Sequence, residues 1–370
     1  MNHSVIATMK TFLRRIFQLA VALPVLAGAA LFAAPGGLTL ANPRVQEAMA
    51  VQRTVTSDLL ALEGILGTAV GEDDGGEVAM IVFVSTEGAN PGEVMRALPV
   101  AIRGVRVAGR LTDPFRALAG RPIKASHTAK QTPPIQLGSS GGWSFDLANG
   151  YCCGGTLGGL ISINGVQHIL SNYHVLESDI ALGGNGRVKQ NGDPVIQPGL
   201  IDVGCVSASA QPVATLVVRN ALPGFNVDAA IAQVVPGMVD PSGAILGIGT
   251  LSSQTAQAFI NQGVKKSGRT SGLTRSRVAA LNAMVSVAYE NECAGGSAFT
   301  KTFTGQVVVS NQLAKGKKFL AGGDSGSVLV EDVTTSPRAV GLLFAGSTSY
   351  AIANPIDEVL AFFGATMVGQ

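Results

Sequence analysis

Short runs of Val, Ile and Leu, bounded by glycine-containing turns, recur from Trp143 to the C-terminus. Such runs lie at 156–163, 166–171, 213–218, 228–234, 278–287 and 306–310. The first two are joined by Asn164-Gly165, the strongest short-range signal for a β-hairpin. Regularly spaced short strands predict paired barrels for residues 143–370. A C-terminal helix is predicted at Asn354-Pro355-Ile356-Asp357-Glu358, which has an N-cap, a proline and early acidic residues.

The pattern before Trp143 is different. Apolar residues follow helical spacing over 45–66, whereas 78–84 and 102–107 are typical of strands and 91–98 of a short helix that begins with proline. This predicts a small α/β domain at 42–121, in which we find no nucleophile, base or ligand cluster. Residues 122–142 contain Pro133-Pro134 and Ser139-Ser140-Gly141-Gly142. That composition predicts a linker.

The first 41 residues have the pattern of an export signal. Lys10, Arg14 and Arg15 precede an almost wholly apolar stretch at 16–34, and no acidic residue lies among the first 15. We expect cleavage after Ala41 and a periplasmic or extracellular protein. Arg14-Arg15 also resembles a twin-arginine signal. The alternative is an uncleaved anchor facing outward, since 19 apolar residues can span a bilayer.

Composition excludes several classes of function. The net charge is +2 and no basic cluster alternates with aromatic residues, so a nucleic-acid partner is not predicted. The four histidines show no paired spacing and no CxxC is present, so no metal site is predicted. In an exported protein Cys152, Cys153, Cys205 and Cys293 could form up to two disulfides, with three connectivities open.

The strongest candidate for chemistry is the stretch from Gly322 to Ser327, which contains Gly-Asp-Ser-Gly and precedes an apolar run. A serine hydroxyl becomes a nucleophile only when it is held beside a base. The flanking glycines permit a tight turn that can aim two N–H groups at a developing oxyanion. A glycine-rich hairpin without chemistry is the alternative interpretation of this short motif.

Two further stretches favour the chemical interpretation. His174 directly follows a predicted strand, and Asp228 begins an apolar run. With Ser325 the order is His, Asp, Ser, at separations of 54 and 97 residues. This order and spacing resemble the chymotrypsin-like (trypsin-fold) serine peptidases. Asp179 and Asp202 are poorer candidates for the acid because neither begins an apolar strand at that spacing. His168 lies within a strand and is predicted to be structural.

The chain also resembles one branch of that group, found in bacteria and plants, which includes the plant narrow-leaf protein. The resemblance covers roughly residues 60–365, including the small α/β unit, and differs at Tyr173, where a second Asn is common. The residues that carry it are 155–159, 170–172, 227–232, 266–274 and 341–346.

The resemblance implies a mainly β fold, a trypsin-like double β-barrel with a C-terminal helix preceded by a small α/β domain. Ser325 would be the nucleophile, His174 the base and Asp228 its orienting acid, with the N–H groups of Gly323 and Ser325 as the oxyanion hole. It also implies a substrate pocket made by Phe319, Phe344 and Gly346, the first as its floor.

The predicted function is therefore an exported serine endopeptidase that acts on a protein or peptide substrate through an acyl-enzyme intermediate and needs no cofactor. The alternative is a trypsin-fold binding or scaffold protein with little hydrolytic activity. The intact set of three side chains with flanking glycines favours the peptidase.

Overall fold

In the computed structural model of the chain, the described residues are 37–117, 125–148, 151–177, 187–289 and 299–370. Residues 1–36 of the predicted export signal, Asp179 and Cys293 lie outside them. None of the helices in these ranges is long and apolar enough to cross a membrane.

The described secondary structure is mainly β. The helices are α1 (Pro43–Leu60), α2 (Pro91–Ala97), α3 (Ala125–Thr128), α4 (Tyr173–Leu176) and α5 (Ile356–Phe363). The strands are β1 (Leu38–Thr39), β2 (Ile65–Glu72), β3 (Val78–Ser85), β4 (Ala101–Ile102), β5 (Val105–Thr112), β6 (Phe115–Arg116), β7 (Ser139–Trp143), β8 (Leu147–Ala148), β9 (Tyr151–Cys152), β10 (Gly155–Leu157), β11 (Gly159–Ile163), β12 (Val166–Ser171), β13 (Pro194–Gln197), β14 (Gln211–Val217), β15 (Ala230–Val234), β16 (Phe259–Ile260), β17 (Gly263–Gly268), β18 (Gly272–Tyr289), β19 (Phe299–Ser310), β20 (Val328–Glu331), β21 (Ala339–Gly346), β22 (Tyr350–Pro355) and β23 (Thr366–Met367).

The first barrel closes through residues 155–163, in which Gly158 separates strand β10 from strand β11. Strand β10 pairs with β7, and strand β11 pairs with β12. Between them the order runs β7-β13-β14-β15-β12, so the sheet returns to its own start. A Cβ at Gly158 would lie 1.8 Å from the carbonyl oxygen of Gly326. Only glycine therefore allows the first barrel to approach the backbone of the second barrel this closely.

The second barrel closes through the hairpin between β17 and β18. Its strands follow the order β17-β20-β21-β22-β19-β18, and β17 pairs with both β20 and β18. α5 packs against β21 and β22, and β23 then returns to pair with β11 of the first barrel. The predicted double barrel with a C-terminal helix is confirmed.

The small α/β unit that precedes the barrels extends the sheet of the second one. Its strands β2, β3, β5 and β4 continue outward from β18, where Val285 lies opposite Gly67. α1 packs on β2 and β3, and its buried face joins the apolar cluster behind the second barrel. The long strand β18 thus belongs to both units.

Several predicted elements differ in extent from the structure. The predicted helix 45–66 ends at Leu60, and Gly64 takes a φ of +85° before β2 begins, so that strand was missed. The predicted strand 102–107 is interrupted at Arg103, which also has a positive φ, and continues to Thr112.

The end of the predicted linker is also different. Residues 139–142 form most of β7 and are fully buried, and Ile135 and Leu137 are buried as well. The small side chains that suggested a linker are needed for packing, because a Cβ on Gly141 would lie 2.4 Å from Leu157. Trp143, at the end of β7, is 1% exposed.

Candidate active site

Asp228 lies just before β15 and is held by its backbone as well as its side chain. Its N–H donates to Asn354 Oδ1 at 2.9 Å, and its carbonyl oxygen accepts from Asn172 Nδ2 at 2.6 Å. All three residues are completely buried. Because β12 and β15 are paired neighbours, the chain after β12 and the chain before β15 meet at the same edge of the barrel. This brings Asp228 beside α4.

His174 lies in the single turn of α4, where it faces Asp228. Its Nδ1 is 2.6 Å from Asp228 Oδ2, and the other carboxylate oxygen, Oδ1, accepts from the N–H of Tyr173 at 2.8 Å and from that of His174 at 3.4 Å. The imidazole is 13% exposed, whereas the carboxylate is completely buried. This arrangement fixes the ring with Nδ1 as donor to the carboxylate and leaves Nε2 to act as a base.

Ser325 lies in a turn that both barrels hold in place. Gly323 and Gly326 have φ angles of +88° and +92°, which residues with a Cβ rarely adopt. Gly326 N–H donates to Leu343 O of β21, and Ser325 O accepts from Thr156 N–H of β10, at 3.0 and 2.9 Å. The turn is thus pinned to one strand of each barrel.

Gly155 connects the serine turn to the histidine helix. A Cβ placed on Gly155 would lie 2.6 Å from the side chain of Val175 and 3.0 Å from the carbonyl oxygen of Ser325. The residue after His174 and the backbone of Ser325 therefore pack against the same glycine. Ser325 Oγ is buried and has no hydrogen-bond partner among the described residues. Its bond to His174 Nε2 is not formed in this conformation.

The same turn presents two available N–H donors. Asp324 N–H donates to Ala321 O and Gly326 N–H to Leu343 O, each at 3.0 Å. In the described part of the chain no acceptor is found for the N–H groups of Gly323 and Ser325. These are the two groups that the sequence predicted as an oxyanion hole. Donors left unsatisfied beside a serine hydroxyl are suited to accept a developing negative charge.

The carboxylate of Asp324 anchors the turn from beneath. It accepts from Ala321 N–H at 2.9 Å, and from Ser271 N–H and Oγ at 3.0 and 2.6 Å. Lys266 Nζ lies 2.8 Å away, and both side chains are completely buried. Burial alone would raise the pKa of Asp324, but the charge of Lys266 and these hydrogen bonds outweigh it and lower the pKa. The carboxylate therefore stays ionised and holds the turn.

The alternative residues weighed from the sequence have other contacts. Asp202 forms a two-point ion pair with the buried Arg269, at 2.6 and 2.7 Å, so its carboxylate binds Arg269 and not His174. His168 lies in β12, and its Nδ1 is 2.9 Å from Val166 O. Burial lowers the pKa of His168. Neither residue has a hydrogen bond to His174 or Asp228 among those described.

Of the three residues predicted to form the substrate pocket, two are completely buried and the third lies in a paired strand. Phe319 and Phe344 are both completely buried, and the ring of Phe344 packs 4.8 Å from that of Phe303. Gly346, at the end of β21, is paired with Arg116 of β6. A strand of the small α/β unit therefore occupies the backbone edge of β21 at this position.

Cys152 and Cys205 form a disulfide across 53 residues, which excludes the connectivities in which Cys152 pairs otherwise. Within the described ranges no group of three His, Cys, Asp or Glu side chains is arranged to hold a metal ion.

Two residues that contact this site, Lys266 and Tyr289, were not predicted from the sequence to do so. Lys266 was noted only as part of a motif, and a lysine in a strand is normally solvated. Tyr289, whose hydroxyl donates to Asp228 Oδ2 at 2.8 Å, lies two residues beyond the predicted strand 278–287. No local pattern marks either residue, because each reaches the site through tertiary packing.

Comparison with known proteins finds likeness only at the level of structure. No family model and no curated protein matches the chain. Among solved structures, a glutamic acid-specific serine protease is 19% identical, with a TM-score of 0.40 over 63% of this chain and 100% of its own. Protease A of Thermobifida fusca is 18% identical, with a TM-score of 0.39 over 64% and 99%. Cellulomonas bogoriensis chymotrypsin is 16% identical, with a TM-score of 0.36 over 58% and 91%. These three solved structures are serine proteases, at identities too low to indicate a substrate for this chain.

Proposed function

We propose that this protein is an exported serine endopeptidase in which Ser325, His174 and Asp228 hydrolyse peptide bonds. The observation that carries the proposal is the Asp228–His174 hydrogen bond of 2.6 Å beside the turn of Ser325, in which two N–H donors have no acceptor among the described residues. These are the base, its orienting group and the oxyanion donors that acyl transfer requires.

The mechanism follows from what each group can do. Ser325 Oγ attacks the scissile carbonyl carbon and gives its proton to His174 Nε2. The N–H groups of Gly323 and Ser325 donate to the oxyanion of the tetrahedral intermediate. His174 then delivers the proton to the leaving amine, and Asp228 stabilises the imidazolium throughout. A water molecule, activated by the same imidazole, hydrolyses the acyl-enzyme.

One step must precede the chemistry. Ser325 Oγ has no hydrogen-bond partner among the described residues, so it must come within hydrogen-bond distance of His174 Nε2. Catalytic hydrogen bonds are often long or absent without substrate and form when the site closes around it. We expect substrate binding to bring the two groups together.

The test is covalent labelling with a fluorophosphonate, which reacts only with an activated serine. The wild-type chain is expected to take up one label, and mass spectrometry should locate it at Ser325. Ser325→Ala should abolish the labelling, whereas Ser253→Ala, at an exposed serine far along the chain, should not change it. A folded wild-type protein that remains unlabelled would favour the binding or scaffold alternative.

A further inference from the structure

The hydroxyl of Tyr289 shares an oxygen of Asp228 with the histidine. Tyr289 OH donates to Asp228 Oδ2 at 2.8 Å, and this is the oxygen that His174 Nδ1 approaches at 2.6 Å. The tyrosine comes from the end of β18 in the second barrel, whereas both other residues belong to the first. The contact therefore crosses the interface between the barrels.

The ring of Tyr289 is held rigidly. It is 1% exposed and stacks on Phe299, with ring centroids 4.8 Å apart and planes inclined by 5°. Its ring centroid lies 6.0 Å from that of the His174 imidazole, with the two planes inclined by 68°. Phe344 of β21 is another completely buried aromatic residue, but it has no hydroxyl with which to donate a hydrogen bond. Within the described part of the chain, Tyr289 and His174 are the only side chains that bond to the Asp228 carboxylate.

A neutral donor suits this position for an electrostatic reason. A cation at the same distance would stabilise the carboxylate but would cancel its attraction for a forming imidazolium. A phenol satisfies one lone pair of the carboxylate, fixes its plane and leaves its charge intact. Burial, reinforced by the charge of Asp228, raises the pKa of Tyr289 well above its ordinary value. The hydroxyl thus remains a donor.

We infer that Tyr289 is a positioning residue for the reaction: its hydroxyl fixes Asp228 so that Oδ2 is directed at His174 Nδ1. The inference rests on the proposed function, since it assigns Tyr289 a role only through the Asp228–His174 pair. It adds a fourth side chain, supplied by the second barrel, to the three that the sequence predicts.

The first experiment compares Tyr289→Phe, which removes only the hydroxyl, with the wild-type chain and with Tyr350→Phe. Tyr350 is a partly buried tyrosine of the same barrel whose ring contacts Phe83, and no hydrogen bond joins it to Asp228 among the described residues. Tyr289→Phe should lower kcat and the fluorophosphonate labelling rate about 10- to 100-fold with little change in KM, because a hydrogen bond to a charged group is lost. Tyr350→Phe should stay within twofold of the wild type.

The second experiment repeats the substitution in Asp228→Asn. If the hydroxyl acts through the carboxylate, Tyr289→Phe should lower kcat by less than about twofold in the Asp228→Asn protein. A loss of the same factor in both backgrounds, or no loss in either, would overturn the positioning role while leaving the proposed function intact. A wild-type chain that takes up no label would overturn both.

A third measurement does not depend on the nucleophile. In Ser325→Ala, the low-field proton resonance of the His174 Nδ1–H reports the hydrogen bond to Asp228. Tyr289→Phe should shift it, and Tyr350→Phe should not. An unchanged resonance in Tyr289→Phe would contradict the shared contact at Oδ2, even if the rate had fallen.

Discussion

Lys266 Nζ and Asp324 Oδ2 form an ion pair at 2.8 Å between two side chains that are both completely buried. Asp324 directly precedes Ser325, and Lys266 lies in β17. The serine turn is therefore held by a charge that comes from a strand of the same barrel. This internal cation keeps the carboxylate ionised where burial would otherwise neutralise it.

The first prediction concerns this pair. Lys266→Met removes the ammonium and leaves a buried carboxylate without its cation. We expect the free energy of unfolding to fall by about 3–5 kcal/mol and the labelling of Ser325 to slow, because the turn loses its anchor. Urea unfolding and fluorophosphonate labelling measure the two effects.

Lys265→Met is the matched control for this substitution. The neighbouring lysine donates to Val333 O at 2.6 Å, which should contribute about 1 kcal/mol. Equal losses in both variants would show that the ion pair has no special role in stability.

The lowered pKa of Asp324 also predicts a dependence of stability on pH. The folded pKa lies below the ordinary value of 3.8, so the stabilisation is complete above that value and is lost as the pH falls through the folded pKa. Unfolding measured from about pH 6 to about pH 2 should show this loss at the acid end. In Lys266→Met burial is no longer offset by the ammonium, so the pKa of Asp324 should rise and the loss of stability at the acid end should shrink or reverse. Identical pH profiles for the two proteins would contradict the assignment.

A second prediction separates the two histidines of the first barrel. His174→Ala should lower kcat by about 10⁴–10⁶, because the three groups act as a unit. Asp228→Asn should cost somewhat less, about 10⁴. His168→Ala, on β12, should stay within a few-fold of the wild type. Peptidase assays on proteins whose folding has been checked by circular dichroism decide the matter. An inactive but folded His168→Ala protein, together with an active His174→Ala protein, would show that His168 and not His174 is the base.

A third prediction tests the junction between the small α/β unit and the second barrel. A Cβ on Gly67 of β2 would lie 2.5 Å from Met284 O and 2.8 Å from the side chain of Val285. Gly67→Ala should therefore force β2 away from β18 and destabilise the protein by about 1–3 kcal/mol.

Gly92→Ala, in α2, is the identical substitution where no atom lies within 4 Å of the new Cβ. It should be neutral or slightly stabilising. Thermal unfolding of the two variants provides the comparison. A Gly67→Ala protein as stable as Gly92→Ala would mean that the two units do not share a sheet.

The last prediction concerns specificity. Phe319, Phe344 and Gly346, the proposed pocket residues, contribute no acid. Burying a substrate Lys or Arg without a counter-charge would cost several kcal/mol, so we expect small or medium apolar side chains at the cleaved position. Profiling with a peptide library measures this directly. A clear preference for Arg or Lys would refute the pocket assignment even if the three catalytic groups were verified.

The sequence by itself determined the mainly β fold, the small α/β unit before it and the C-terminal helix. These follow from local patterns that act over a few residues, such as the Asn164-Gly165 hairpin and the acidic residues Asp357 and Glu358 in the first turn of α5. The predicted N-cap Asn354 does not cap the helix, because its side chain bonds Asp228 and Gln306. It also singled out His174, Asp228 and Ser325, because each lies in a short motif beside a strand. The extent of β18 and the existence of β2 were missed, since a strand is completed by the partner it pairs with.

Tertiary structure alone decided which side chains support those three. Lys266 and Tyr289 are 58 and 61 residues from their partners Asp324 and Asp228. Nothing local distinguishes them from a solvated lysine or a core tyrosine. Closure of each barrel brings these distant strands together and removes water, and a buried charge then has to be paired or hydrogen-bonded. That requirement exists only in the folded protein, so it leaves no short-range pattern in the sequence.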